Sequence, residues 1–178
     1  KMSSRFVSAI CELLNSFSAN SLDGGLISLI EPAKKPRGHC FRALTDIAIY
    51  AKKYCPQKDT WSNFELVFEK ELKGSNQTGC DFITILTAHL REFCYLSETW
   101  VMENLSNIFD RSNYIRCLCA LKGYAHCSLV YQPIYEFLKK QKTLLYALDD
   151  PNLERLAKEN IVHKITTAYL SGLETFDD

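Results

Sequence analysis

The sequence has no excess of charge of either sign, and it has no long run of apolar residues. Its 178 residues include 21 Lys and Arg against 21 Asp and Glu, so the formal net charge is zero. A neutral chain lacks the electrostatic signature of proteins that bind nucleic acid or anionic membranes. No apolar stretch approaches the ~18 residues of a membrane span, and no stretch has the pattern of a secretory signal. We therefore expect a cytoplasmic protein with neither nucleic-acid nor membrane partners.

The sequence also lacks the motifs that bind nucleotides and the alternation that forms sheets. The pair Gly24-Gly25 has neither the Lys-Ser/Thr nor the flanking strand of a phosphate-binding loop, so no cofactor is indicated. Sustained alternation of apolar and polar residues is missing, which disfavours β-strands. Hydrophobic residues make up 47% of the chain and instead recur at helical spacing. Ile47, Ala48 and Ala51 are an example. These patterns predict an all-α fold.

Cysteine, by contrast, is abundant, with eight residues in the chain. Disulfide frameworks belong mainly to short secreted domains that cannot build a large core. This chain is longer, and most of its cysteines lie inside apolar periodic segments, where Cys behaves as a small buried hydrophobe. We expect a reducing compartment and mostly free thiols.

Two stretches of the sequence resemble each other: YCPQKDTW at 54–61 and FCYLSETW at 93–100. In each, an aromatic residue precedes Cys, three residues intervene, and an acid, a Thr and a Trp follow. Matched positions lie 39 residues apart, and the register extends upstream to three further pairs: Leu44 and Ile83, Thr45 and Thr84, Ile47 and Leu86. A period near 40 is the length of a two-helix HEAT-like unit. We therefore predict HEAT-like helical hairpin repeats that form a fragment of a right-handed α-solenoid.

Each copy predicts a helix that closes at its Cys, a short polar link, and a second helix that is capped by Thr and opened by Trp. The residues at these points are Cys55, Thr60 and Trp61 in the first copy, and Cys94, Thr99 and Trp100 in the second. Because the apolar set repeats, we expect each Cys to pack beneath its Trp. The two Trp side chains should then occupy equivalent, buried environments.

The rest of the chain predicts further helices. We expect a first helix from Phe6 to Phe17 and another that begins at Tyr114 and stops at Gly123. A further helix should be opened by Pro133 and run through Leu145, with KKQK (139–142) as its polar face. Asp150-Pro151 should start the last helix. An irregular segment lies between Leu22 and Gly38, and its AKKPRG (33–38) is typical of a solvated loop. We therefore divide the chain into a first helix with an irregular loop over 1–40 and a helical repeat region over 41–178.

The end of the sequence, ETFDD, follows directly on a helical pattern, so we expect a fragment of a longer protein. Each repeat in a stack buries its core against the next repeat. A stack that ends with the helix of Ile161, Val162, Ile165 and Tyr169 would leave that face uncovered. We therefore expect self-association through this face.

The sharpest candidate for a metal site is CLCALKGYAHC at 117–127, which offers Cys117, Cys119, His126 and Cys127. Structural zinc needs four ligands that converge tetrahedrally. Two cysteines two positions apart on a helix point about 200° apart around its axis, which favours packing over ligation. Catalysis by a Cys would need a His beside it and a third orienting group, and no motif links the four His to a nucleophile. We predict no catalytic, cofactor-binding or metal-binding residues.

Several segments together carry a resemblance to a known family: FRALTDIAIYAKKYCP, LSETWVMENLSNIFD, ALKGYAH and LERLAKENIVHKITTAYLSGLETF. Their order and their Trp, Phe and Gly-Tyr spacing resemble the helical C-terminal regions of large bacterial anti-phage defence proteins. The resemblance covers residues 41–176 better than the first 40. In that family the repeats follow an N-terminal sirtuin-like NAD hydrolase or P-loop ATPase domain, which holds the chemistry. The resemblance implies a region that senses a phage protein or holds an attached enzyme inactive, and no functional residue is carried over.

The sequence therefore predicts a non-catalytic helical scaffold or sensor module. Its partner would be another protein, such as a phage protein, or an effector domain of the same chain. A eukaryotic-type HEAT-like adaptor scaffold remains an alternative with the same architecture. A small zinc or thiol protein that uses the cluster at 117–127 is a third alternative.

Overall fold

The structure is a computed structural model that describes residues 2–16, 36–55, 61–74, 80–128 and 130–175. These residues form nine α-helices and no strand, which confirms the predicted all-α class. The helices are α1 (Met2–Ser16), α2 (Pro36–Tyr54), α3 (Trp61–Lys73), α4 (Cys80–Ala88), α5 (Leu90–Ile108), α6 (Tyr114–His126), α7 (Gln132–Lys140), α8 (Thr143–Asp149) and α9 (Arg155–Leu170). Three predictions fall outside the described residues: the end of the first helix at Phe17, the irregular segment from Leu22 to Lys35, and the cap at Thr60.

The helices pack in two rows. In the first row α2, α4, α6 and α9 are successive neighbours, and α1 packs on α2. In the second row α3, α5 and α7 are successive neighbours, and α8 packs on α7 and α9. Aromatic side chains from both rows meet in the core, where the ring centre of Phe82 lies 5.1 Å from that of Phe41 and 5.5 Å from that of Phe68.

Basic side chains bind the carboxyl-terminal ends of helices elsewhere in the chain. A helix leaves its last carbonyl groups without internal partners, and a cation there also offsets the helix dipole. The donors and their carbonyl acceptors are Arg37 to Leu14 of α1, Arg116 to Leu72 of α3, Lys52 to Tyr95 and Leu96 at the end of the α5 segment that precedes its kink at Ser97, Lys164 to Cys127 after α6, and Arg111 to Gln141 after α7. These bonds give a physical reason for the burial of Arg37, Arg116 and Lys164 in a helical core.

The two copies of the sequence repeat differ in structure. In the first copy α2 ends at Tyr54, and α3 begins at Trp61 as predicted. In the second copy α5 continues past Cys94 and kinks at Ser97, whose φ of −158° and ψ of 97° are not helical. The hydroxyl oxygen of Ser97 accepts a hydrogen bond from the N–H of Trp100 at 3.3 Å. Ser97 therefore takes the capping role that the sequence predicted for Thr99, and the polar link is reduced to one residue.

The two Trp side chains contact each other, which the repeat did not predict. Their ring centres are 5.6 Å apart in an edge-to-face arrangement. Trp100 is only 3% exposed, whereas Trp61 is half-buried at the edge of the core. The prediction of equivalent environments is therefore wrong.

Gly123 lies inside α6 and does not end it, which corrects the sequence prediction. A Cβ atom at this position would lie 2.0 Å from Oγ1 of Thr87 and 2.3 Å from the carbonyl oxygen of Thr84. Both threonines belong to α4, so the absence of a side chain lets α4 and α6 approach closely. The hydroxyl of Thr84 also donates to the carbonyl oxygen of Cys119 across this interface at 3.3 Å.

Two later helix boundaries also differ from the prediction. The helix opened by Pro133 is broken at Gln141 and Lys142, so its polar stretch at 139–142 ends α7 and forms a turn. The side chain of Asp150 accepts from the N–H of Asn152 at 2.8 Å. It therefore closes a turn there, and α9 begins only at Arg155.

The second helix begins before the boundary that the sequence predicted at residue 40. Helix α2 begins at Pro36 and crosses the division placed at residue 40. Arg37 of the expected solvated loop is buried and pairs with Glu71 of α3 at 2.7 Å. One of the positive charges of AKKPRG is therefore buried in an ion pair.

Candidate functional site

An apolar groove lies between α7, α8 and α9. It has a volume of about 660 Å³ and is open to solvent. Its lining comprises Tyr135, Lys139, Lys140, Lys142, Leu144, Leu145, Ile165, Thr166, Tyr169, Glu174 and Thr175. This volume lies within the ~300–1,000 Å³ of typical ligand clefts. We therefore treat the groove as the candidate functional site.

Two left-handed residues position the walls of the groove. Lys142 has φ 54° and ψ 25° at the corner between α7 and α8. Gly172 has φ +75° after α9, and its N–H donates to the carbonyl oxygen of Tyr169 at 3.0 Å. This reversal is a common helix ending with Gly, and it is followed by Glu174 and Thr175, which line the groove.

The floor of the groove contains apolar side chains that are left in water. Leu144 and Leu145 are adjacent on α8, and a helix turns about 100° per residue. Leu144 is accordingly buried in the core, whereas Leu145 is 59% exposed. Tyr169 of α9 is 38% exposed, and Ile165, one turn earlier, is half-buried. The groove therefore places an exposed leucine and a partly exposed tyrosine on a concave surface, where a bound partner would cover both.

The charges at the rim are unevenly paired. The ammonium of Lys139 lies 2.8 Å from a carboxylate oxygen of Glu174, and the hydroxyl of Tyr135 donates to the same side chain. Lys140 and Lys142 are exposed, and their ammonium groups have no ion-pair or hydrogen-bond partner in the described part of the chain. Among the described residues, the rim therefore presents two positive charges without an ion-pair partner beside an apolar floor.

A second and more polar cavity, of about 820 Å³, lies between the end of α6 and α9. Lys164 on its wall is buried and donates to the carbonyl oxygen of Cys127, with its ammonium 5.1 Å from the ring centre of Tyr124. Burial lowers the pKa of Lys164. His126 and His163 also line this cavity and are exposed. The lysine is engaged by a helix-end carbonyl and an aromatic face, which supports a stabilising role at the end of α6.

The side chains of the 117–127 cluster have different surroundings. Cys119 faces α4, and a hydrogen bond with Cys80, together with burial, raises its pKa far above the ordinary value. Burial raises the pKa of Cys117 to about 11. His126 is exposed, and Cys127 is buried. Among the described residues, no group of three or more His, Cys, Asp or Glu side chains is placed to hold a metal ion.

The two cysteines of the sequence repeat also lie in different environments. Cys55 follows the end of α2 and is exposed, so the prediction that it packs beneath Trp61 is wrong. Cys94 lies within α5, packs against the core, and has its pKa raised to about 11 by burial. A thiol with a raised pKa is a poor nucleophile, because the thiolate is the reactive form.

The sequence predicted an uncovered face on α9, and two of its residues, Ile165 and Tyr169, line the groove. Ile161 of that predicted face is fully buried instead. A further available signal was the pair Leu144-Leu145, since only one of two adjacent leucines on a short helix can face the core. The stretch KKQK at 139–142 was predicted to be a polar helix face, whereas in the structure it turns a corner and carries the cationic rim.

Comparison with known proteins finds no relative for this chain: no family model matches it, and neither does any curated protein or any solved structure. Within the ranges that the structure describes, no helix combines the length and the apolar character needed to cross a membrane.

Proposed function

We propose that this chain is a non-catalytic helical scaffold or sensor module that binds a protein partner in the groove between α7, α8 and α9. The observation that carries the proposal is the exposure of Leu145 and Tyr169 there. Large apolar side chains grouped beside a concave surface are a feature of binding sites, because a partner would remove them from water.

The arrangement of helices supports a repeat architecture. The order α2, α4, α6 in one row and α3, α5, α7 in the other is the neighbour relation of stacked helical hairpins, whereas α9 rather than α8 follows α6. We infer that these rows are layers of a HEAT-like, right-handed solenoid whose period is the 39 residues of the sequence repeat. Such stacks use surfaces built from successive helices to recognise proteins.

The proposed biological setting is bacterial anti-phage defence, in the cytoplasm. Its support is the resemblance of residues 41–176 to the helical regions of defence proteins. The partner would then be a phage protein, or an effector enzyme domain that the scaffold holds inactive.

The proposal excludes enzymatic turnover by this chain. Burial raises the pKa of Cys94 and of Cys117 to about 11, which makes these two thiols poor nucleophiles near neutral pH. The purified chain should hydrolyse neither NAD nor ATP. Turnover of either compound that persists through successive purification steps would contradict the proposal.

Two matched leucines provide the test of the groove. Leu145 in the groove is 59% exposed, and Leu156 on α9 outside it is 56% exposed. Tagged wild type, Leu145→Asp and Leu156→Asp would be used for affinity capture from phage-infected and uninfected bacterial cells. A charge in the middle of an apolar interface should weaken capture of the specific partner about tenfold or more, and only for Leu145→Asp. Equal capture by the two variants would reject the groove as the binding site.

A further inference from the structure

The groove rim carries a local excess of positive charge, although the chain as a whole is neutral. Three lysines and one glutamate line the groove. The glutamate, Glu174, is already bound by Lys139 and by the hydroxyl of Tyr135. Within the described part of the chain, Lys140 and Lys142 therefore have no carboxylate partner at the solvent edge of the apolar floor. Charge complementarity across an interface selects partners and speeds their encounter.

Lys142 has an unusual backbone conformation. It is the one non-glycine residue with a positive φ in the part of the chain that the structure describes. Glycine adopts this conformation without the clash that a Cβ atom causes. A side chain retained where the backbone would favour glycine is consistent with a use for that side chain.

The floor of the groove favours an amphipathic occupant. Leu145 and Tyr169 are accessible from solvent, and the groove is an open cleft rather than an enclosed cavity. An amphipathic helix binds such a groove by placing apolar residues at helical spacing on the floor. Its polar face then lies against the rim, where Lys140 and Lys142 would meet it.

We propose that the groove binds an acidic amphipathic peptide segment of a partner protein. Apolar side chains of the segment pack on Leu145 and Tyr169, and its carboxylates pair with Lys140 and Lys142. The inference rests on the proposed function and adds the chemistry of the partner to it.

The test uses synthetic peptides, so that it does not depend on which protein the partner is. Three matched sets of peptides, each about one to two helical heptads long, would share the same varied apolar faces of Leu, Ile, Phe and Trp. The sets differ only in the polar face, which carries Glu, Gln or Lys. We expect the tightest binders in the Glu set, about tenfold tighter than their Gln counterparts at low salt. This advantage should shrink as salt is added.

Variants of the chain locate the effect. Lys142→Gly removes the charge and also relieves the left-handed backbone, so Tm should stay the same or rise while the preference for Glu peptides falls. Lys140→Gln should reduce the same preference. Lys53→Gln, which removes an exposed lysine of α2 outside the groove, should leave it unchanged.

The outcomes separate this inference from the proposed function. Gln peptides that bind as tightly as Glu peptides, with both lost in Leu145→Asp, would overturn the acidic partner and leave the groove as a binding site. A Glu preference that persists in the Lys140→Gln, Lys142→Gly double variant, or in Leu145→Asp, would place the peptide elsewhere and overturn the inference. Failure of every peptide set to bind would also overturn it, while the capture experiment with Leu145→Asp and Leu156→Asp decides the proposed function separately.

Discussion

At the scale of single residues, the tryptophans show how one sequence signal leads to two environments. Trp100 packs with Phe93 and Phe68 at ring-centre distances of 6.3 and 6.5 Å and is almost fully buried. Trp61 is half-buried, although it contacts both Phe68 and Trp100. The same residue type at the same repeat position thus contributes differently to stability.

We expect Trp100→Ala to lower the free energy of unfolding by about 3–5 kcal/mol, as for other large core aromatics. Trp61→Ala should cost less, roughly 1–3 kcal/mol, because less of its surface leaves water on folding. Urea denaturation of the two variants measures both values. Trp100→Phe is a control that keeps a ring in place and removes an indole N–H that has no hydrogen-bond partner among the described residues. Equal costs for the two alanine variants would restore the equivalent environments that the repeat predicts.

His89, between α4 and α5, is a residue whose titration should affect stability. Its Nε2 accepts from Nη1 of Arg42 at 2.7 Å, and its Nδ1 lies 3.8 Å from Oε1 of Glu92. Burial first, and Arg42 second, lower the pKa of His89, against the opposite effect of Glu92 and Asp46. The imidazole of His89 therefore binds a proton at a higher pH in the unfolded chain than in the folded chain. Acidification consequently favours unfolding.

The free energy of unfolding should accordingly be larger near neutral pH and decrease as the pH falls through the ordinary histidine pKa of about 6.5. Urea denaturation of wild type and His89→Gln at about pH 7.5 and about pH 5.5 tests this linkage. We expect the wild type to lose more stability between these pH values than the variant does. An identical loss in both proteins would show that His89 is not the group responsible.

At the scale of elements, the close approach of α4 and α6 depends on Gly123. An Ala in the middle of a helix normally stabilises it by about 1 kcal/mol relative to Gly. Here the added methyl group would overlap Thr87 and the backbone of Thr84. We therefore expect the opposite sign for Gly123→Ala, a destabilisation of about 1–3 kcal/mol from overpacking.

Urea denaturation of Gly123→Ala measures this effect, and a second substitution identifies its cause. Adding Thr87→Ala removes the hydroxyl that the new methyl group meets but leaves the carbonyl oxygen of Thr84. The double variant should therefore be less destabilised than the sum of the two single variants. A Gly123→Ala protein that is more stable than wild type would mean that α4 and α6 are farther apart than the structure places them.

The element scale also shows what the sequence could predict. Helical periodicity located the helices, because apolar spacing near 3.6 residues reflects one buried face. Breaks were harder to predict, because they depend on contacts outside the local pattern. Ser97 ends one helix segment and caps the next by a side-chain bond that no hydrophobic pattern records. Gly123 has the local signature of a helix end, but its tertiary role is close packing.

The groove as a whole could not be predicted for a related reason, although Ile165 and Tyr169 belong to the α9 face that the sequence predicted to be uncovered. Its shape depends on how α7, α8 and α9 are oriented, and that orientation is set by the corner at Lys142 and the ending of α9 at Gly172. Sequence periodicity shows which residues share a face of one helix. It does not show which faces of three helices leave a space between them.

At the scale of the whole molecule, the described helices form two rows around one core, with an open groove where α7, α8 and α9 meet. The core accounts for the abundance of buried cysteine and aromatic side chains. The exposed apolar floor remains outside it, as do Lys140 and Lys142, which have no ion-pair partner among the described residues. A binding role for the groove gives these features a common explanation, since a partner would cover the apolar floor and pair with the charges.

The central claim is that a specific protein partner contacts the floor of this groove in cells. Site-specific photo-crosslinking tests it most directly, with p-benzoylphenylalanine placed either at position 145 in the groove or at position 156, which is equally exposed outside it. We predict that irradiation joins one predominant protein to the chain from position 145, and that this product is absent or much weaker from position 156. The same product at equal yield from both positions, or no specific product from position 145, would contradict the claim.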